Sequence, residues 1–112
     1  MLSIMTTENK IPRLQNSNYL KLESTKKITN RSLFNKYLNW VSGEFELYLQ
    51  EHSNGLKVYF PGGLLIIQSI ESNSNEVKFK IVVSSKNKQN ALSIKNTAET
   101  ILSHLILLEQ LK

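Results

Sequence analysis

The side chains with the chemistry for catalysis or metal binding are few and scattered. His52 stands beside a turn signal, and His104 lies in an apolar run with Thr100, Leu107 and Leu108 at its helical neighbour positions. A zinc site takes three or four N, S or O donors. Two isolated histidines, in a chain with no cysteine and no aspartate, do not supply them. Glu44, Glu46, Glu51, Glu71 and Glu76 fall near turns, where two carboxylates in different surroundings could divide acid and base work. Strand ends are equally where solvated glutamates sit. Pro61-Gly62-Gly63 is glycine-rich, but it joins two apolar runs instead of opening a helix, so it is no phosphate loop. The expectation is a protein without cofactor that is not an enzyme.

Cations offer a second chemistry. The formal net charge is +5, and all nine acids are glutamates. Residues 1–31 hold six cations against two glutamates, while residues 32–112 hold eight lysines against seven. Lys26, Lys27, Arg31, Lys78, Lys80, Lys86, Lys88 and Lys95 would be the contacts if the protein bound nucleic acid. Lysine gives a point charge without the bidentate fork of arginine, and stacking aromatics do not interleave with these lysines.

Behind these residues stands the stretch Gly43–Ser85, which reads as four antiparallel strands. Asn54-Gly55 is a strong hairpin signal, because both residues tolerate positive φ. A two-residue loop there pairs Leu49 with Phe60 and places Phe45, Leu47, Leu49, Leu56, Val58 and Phe60 on one face. Pro61-Gly62-Gly63 fits a two- or a three-residue turn. Counting back from the turn within 71–76 pairs Ile66 with Ile81 and Leu64 with Val83, which favours three. Ile66, Ile81 and Val83 are then expected in the core, with Lys78 and Lys80 outside. On that outer side Tyr59, Leu65, Ile67 and Val82 would form an apolar group needing cover.

Helical patterns flank the strands. Leu33, Phe34, Tyr37, Leu38 and Val41 recur at helical spacing; Asn30 or Ser32 can cap the start, and Ser42-Gly43 ends the pattern. A closing helix is predicted from about Gln89 to Leu111, with a stripe of Ile94, Ala98, Ile101, Leu105 and Leu108. Leu102, Ile106, Leu107 and Leu111 make its end apolar almost all round, the mark of a buried helix. Tyr19–Glu23 alternates and reads as a short first strand.

The expected fold is therefore α+β: a four-stranded antiparallel meander between two helices, with an extra strand at the N-terminus. Residues 1–28 read as a flexible basic leader and 29–112 as a single domain. This order resembles a half-repeat of the TATA-binding-protein fold, in topology and not in its DNA-contacting residues. Lys86, Lys88 and Lys95-Asn96-Thr97-Ala98 are similar to the opening of the last helix in double-stranded-RNA-binding domains, which implies RNA contact. The glycines and adjacent lysines of that family are missing here, and there is one strand more.

No apolar run reaches the ~20 residues of a membrane span. With no cysteine, the chain reads as an intracellular, soluble protein, cytoplasmic in the first instance, with organelle import as the alternative that the hydroxyl-rich start suggests. The functional expectation is a protein-interaction or assembly subunit, a homodimer included. It would bind through Tyr59, Leu65, Ile67 and Val82 on the sheet and Ile106, Leu107 and Leu111 on the last helix. RNA binding through the lysines is the alternative.

Overall fold

A computed structural model gives the fold and describes residues 19–111. The expected bounds of the basic leader lie outside the described residues as far as residue 18. The elements are β1 (Leu20–Ile28), α1 (Arg31–Glu44), β2 (Leu49–Glu51), β3 (Leu56–Phe60), β4 (Gly63–Ser72), β5 (Val77–Ser85) and α2 (Lys88–Gln110). The α+β order is the one expected, with the first strand running nine residues instead of five. All five strands form one antiparallel sheet in the order β1-β5-β4-β3-β2, so the N-terminal strand closes one edge.

Both helices start on an asparagine. The Asn30 side chain accepts from the Leu33 amide at 2.7 Å, and Asn87 accepts from the Asn90 amide at 2.9 Å; each satisfies a first-turn donor that has no partner within the helix. Gly43 does not end α1, which continues to Glu44.

Both helices lie on one side of the sheet. Their buried faces, Leu33, Phe34, Tyr37 and Val41 on α1 and Ala91, Ile94, Ala98, Leu102 and Leu105 on α2, join Leu56, Val58, Leu65, Ile67, Val77, Phe79, Ile81 and Val83 in one core. Phe79 sits at its centre, with the Phe34 and Tyr37 rings 5.0 and 5.5 Å away. The Tyr37 hydroxyl donates to the Ala98 carbonyl at 2.9 Å, tying α1 to α2. Burial, and then the Glu99 carboxylate, push that hydroxyl's pKa well above the usual tyrosine value.

Three expectations about register are corrected. Phe60 pairs with Gly63 and Val58 with Leu65, so Pro61-Gly62 is a two-residue loop. Gly62 has φ +78, the left-handed value that the third position of a type II turn needs, and Pro61 supplies the second. Gly63 cannot be part of the loop's freedom. A Cβ there would lie 2.4 Å from the Ser84 carbonyl oxygen and 2.5 Å from the Phe60 ring.

The second correction follows from a β-bulge between Ser69 and Glu71, which leaves Ile70 unpaired. The extra residue changes the parity of β4. Ile67 therefore faces Ile81, and Leu65 faces Val83, where a strand continued regularly from Ser72 and Val77 would put Gln68 and Ile66. Leu65 and Ile67 are 0% exposed. They belong to the core, not to the outer face, while Ile66 turns outward. Ile81 and Val83 are core as expected.

The third concerns β2. Leu49 pairs with Tyr59 and Gln50 with Val58, one residue from the expected register. Gln50 thereby faces inward, and its amide donates to the Ser42 and Phe45 carbonyls at 3.0 and 2.7 Å while its oxygen accepts from the Ser42 hydroxyl. The inward position is taken by a residue that satisfies the end of α1. Leu47 and Leu49, expected in the core, are exposed.

Candidate functional site

The site is the face of the sheet that neither helix covers. Antiparallel pairing lays its side chains in rows across the strands. One row runs Leu49, Tyr59, Leu64, Ser84 and Lys21; the next runs Lys57, Ile66, Val82 and Glu23. Further along come Gln68, Lys80 and Thr25, and then Glu71, Lys78 and Lys27. The half nearest the Pro61-Gly62 turn is thus apolar at its centre, and the other half is charged.

Leu64, Ile66 and Val82 are half-buried by their neighbours alone, and Tyr59 and Leu49 are exposed. Tyr59 and Val82 lie on the face that the sequence assigned them. Leu64, Ile66 and Leu49 replace Leu65 and Ile67. The signal for this exchange was present in Pro61-Gly62: a type II turn uses both residues and leaves Gly63 to pair.

Charged groups border the apolar rows and hold one another. The Tyr59 hydroxyl donates to Glu51 at 2.9 Å, which raises its pKa. Lys57 approaches the same carboxylate at 3.9 Å. On the other side Glu23 accepts from Lys21 at 3.1 Å and lies 3.8 Å from Lys80. The Lys21 hydrogen bond and charge, with Lys80 behind them, hold Glu23 below the usual carboxylate range. This is the arrangement of an apolar centre with a polar rim that interfaces share.

The end of α2 is a separate surface, because the sheet stands between it and the apolar rows. Ile106 packs partly on the core; Leu107 and Leu111 are 53% and 73% exposed. Leu108, expected on the buried stripe, is also exposed, and Leu102 takes the buried place expected for Ile101.

The basic residues do not converge. Lys26 and Lys95 both meet Glu99 on the helix side of β1, at 3.5 and 3.0 Å, and Ser24 donates to the same carboxylate at 2.9 Å. Partial burial by itself would raise the Glu99 pKa. The hydrogen bonds from Lys95 and Ser24, with the charges of Lys26 and Lys95, outweigh it and hold the group below its ordinary value. Lys27 pairs with Glu76 at 3.7 Å and Lys80 with Glu23. Arg31 lies over Phe34 and Lys86 over Tyr19. Lys78 is on the uncovered face opposite Lys27, and Lys88 opens α2.

Neither histidine meets a donor set. His52 borders a cleft beside α1, and His104 a groove along α2. Among the described residues no group of three His, Cys, Asp or Glu side chains could hold a metal ion. No described helix is long and apolar enough to cross a membrane. No protein-family model and no curated protein sequence matches this chain.

Proposed function

We propose that this protein is a non-enzymatic interaction subunit that buries the apolar half of its uncovered sheet face against another protein. One observation carries the reading. Leu49, Tyr59, Leu64, Ile66 and Val82 are contiguous across four strands, on the side opposite the helices. Contiguous apolar patches on a domain surface mark contacts, while single exposed apolar residues do not. The rim of Glu51–Lys57 and Glu23–Lys21–Lys80 would set register and exclude wrong partners more than it would add affinity.

The test is sedimentation of the wild type beside the double variant Ile66→Lys/Val82→Lys, with circular dichroism as the fold control. Both positions face outward, so the variant should fold and lose association, whether with a second copy or with a different protein. The pair Leu107→Glu/Leu111→Glu tests the helix end in the same experiment and should associate as the wild type does. Association that survives the sheet variant and disappears in the helix variant would move the interface to α2.

A further inference from the structure

A cleft of about 490 Å³ opens where α1 faces the β2–β3 turn and the end of β4, on the edge of the helix layer. One wall is a single face of α1: Arg31, Asn35 and Asn39 recur at intervals of four and stand one above another. The facing wall carries His52 and Asn54, with Gly55 and the backbone around Gln68 and Ser69 behind them, and Phe34 and Leu38 complete the lining.

Two properties separate this cleft from the rest of the surface. The first is charge. Its lining holds one guanidinium and the three side-chain amides of Asn35, Asn39 and Asn54 but no carboxylate, although glutamates border the sheet face and pair with most nearby lysines. Glu51, next to His52, is turned to the other side of the sheet by Tyr59 and Lys57. Among the described residues, the side chains of Arg31, Asn35, Asn39, His52 and Asn54 make no hydrogen bond or ion pair with the protein. Their donors are all available, and Arg31 is steadied by the Phe34 ring, 5.4 Å from its guanidinium carbon.

The second property is that one wall, the Asn54-Gly55 turn, is closely packed. Asn54 has φ +58 and Gly55 φ +129, and a Cβ on Gly55 would fall 2.2 Å from the Ile67 carbonyl oxygen. The turn thus packs closely on β4 at Gly55.

We infer that this cleft binds a small oxyanion-bearing ligand, with the planar fork of Arg31 on the anion and the amides of Asn35, Asn39 and Asn54 on its neighbouring hydroxyl or carbonyl groups. A guanidinium matches the two oxygens of a phosphate or a carboxylate. Neutral amides both donate and accept, so they suit the polar remainder of such a molecule. The site is independent of the sheet face proposed above.

Nuclear magnetic resonance on the full chain tests it, with inorganic phosphate and acetate titrated separately and sodium chloride as the ionic-strength control. Phosphate is expected to shift the side-chain signals of Arg31, Asn35, Asn39 and Asn54 in a saturable way that chloride does not reproduce. An equal response to acetate would place carboxylates in the ligand class; a weaker one would confine it to phosphates. Arg31→Gln should weaken binding about tenfold, the worth of a charge-assisted hydrogen bond. Asn39→Asp, an exposed position in mid-helix, puts a negative charge in the cleft and should abolish binding while the spectrum elsewhere is kept. Shifts that are absent, that match chloride, or that persist in both variants would overturn the inference.

Discussion

Glu99 is the residue on which the N-terminal strand depends for its polar contact with the helix layer. Its carboxylate accepts from Ser24 on β1 and Lys95 one turn earlier on α2, and Lys26 stands 3.5 Å away. An exposed ion pair adds little, but Glu99 is only about one-quarter exposed and its carboxylate has three partners. Its folded-state pKa is lowered, so the unfolded chain binds the proton more readily. The stabilisation is therefore complete above the ordinary carboxylate value and is lost as pH falls through the lowered one. Glu99→Gln should lower the denaturation midpoint clearly at about pH 7 and scarcely at about pH 3. Urea titrations of both proteins at the two pH values check it; an equal gap at both would show that the carboxylate's charge is not what matters.

At the scale of elements, the β4 strand decides which surface the molecule presents. Leu65 and Ile67 are in the core, while Leu64 and Ile66 are outside, because a two-residue turn precedes β4 and a bulge interrupts it. A one-residue slip would exchange the two sets. Ile67→Ala should cost about 2–5 kcal/mol, the range for truncating a buried aliphatic side chain, and Ile66→Ala well under half of that. Chemical denaturation of the two variants decides it, and the reverse order would mean that the register is the slipped one.

Much of this architecture is legible in the residues. The helical spacing of Leu33, Phe34, Tyr37 and Val41 with the cap at Asn30 marks the first helix, and the spacing of Ile94, Ala98 and Leu105 the second. The alternation of Val77, Phe79, Ile81 and Val83 marks β5 and its inner face. What is not legible in the strand itself is parity within β4, where Leu64-Leu65-Ile66-Ile67 is apolar on both faces and only the Pro61-Gly62 turn before it carries a signal. The bulge has no glycine or proline to announce it. Gln50 hides the β2 register in the same way: a polar residue takes an inward position to satisfy the Ser42 and Phe45 carbonyls, and Leu49 is displaced outward. The site inherited these errors. The idea of an apolar outer face survives, with Leu64 and Ile66 in place of Leu65 and Ile67.

The whole molecule has two unlike sides. Helices α1 and α2 close one face of the sheet around Phe79, and the other face carries apolar rows between charged borders. A five-stranded sheet with one covered face is stable on its own terms, since antiparallel sheets tolerate water on one side. Solvation would favour polar residues there. Leu64, Ile66 and Val82 are instead the residues that the proposed contact would cover. The Leu107–Leu111 end of α2 lies on the helix side, away from the proposed contact.

Because the chain has no cysteine, single cysteine variants report position by position on what is covered. The most direct measurement is the rate at which a maleimide labels Ile66→Cys, Ile67→Cys and Leu107→Cys, in dilute protein and in the associated state. The Ile66→Cys thiol should label readily when dilute and become protected on association. The Ile67→Cys thiol should stay blocked until the chain unfolds, and the Leu107→Cys thiol should label readily throughout. An Ile66→Cys thiol that labels equally fast in every state, while Leu107→Cys is the one protected, would contradict the account.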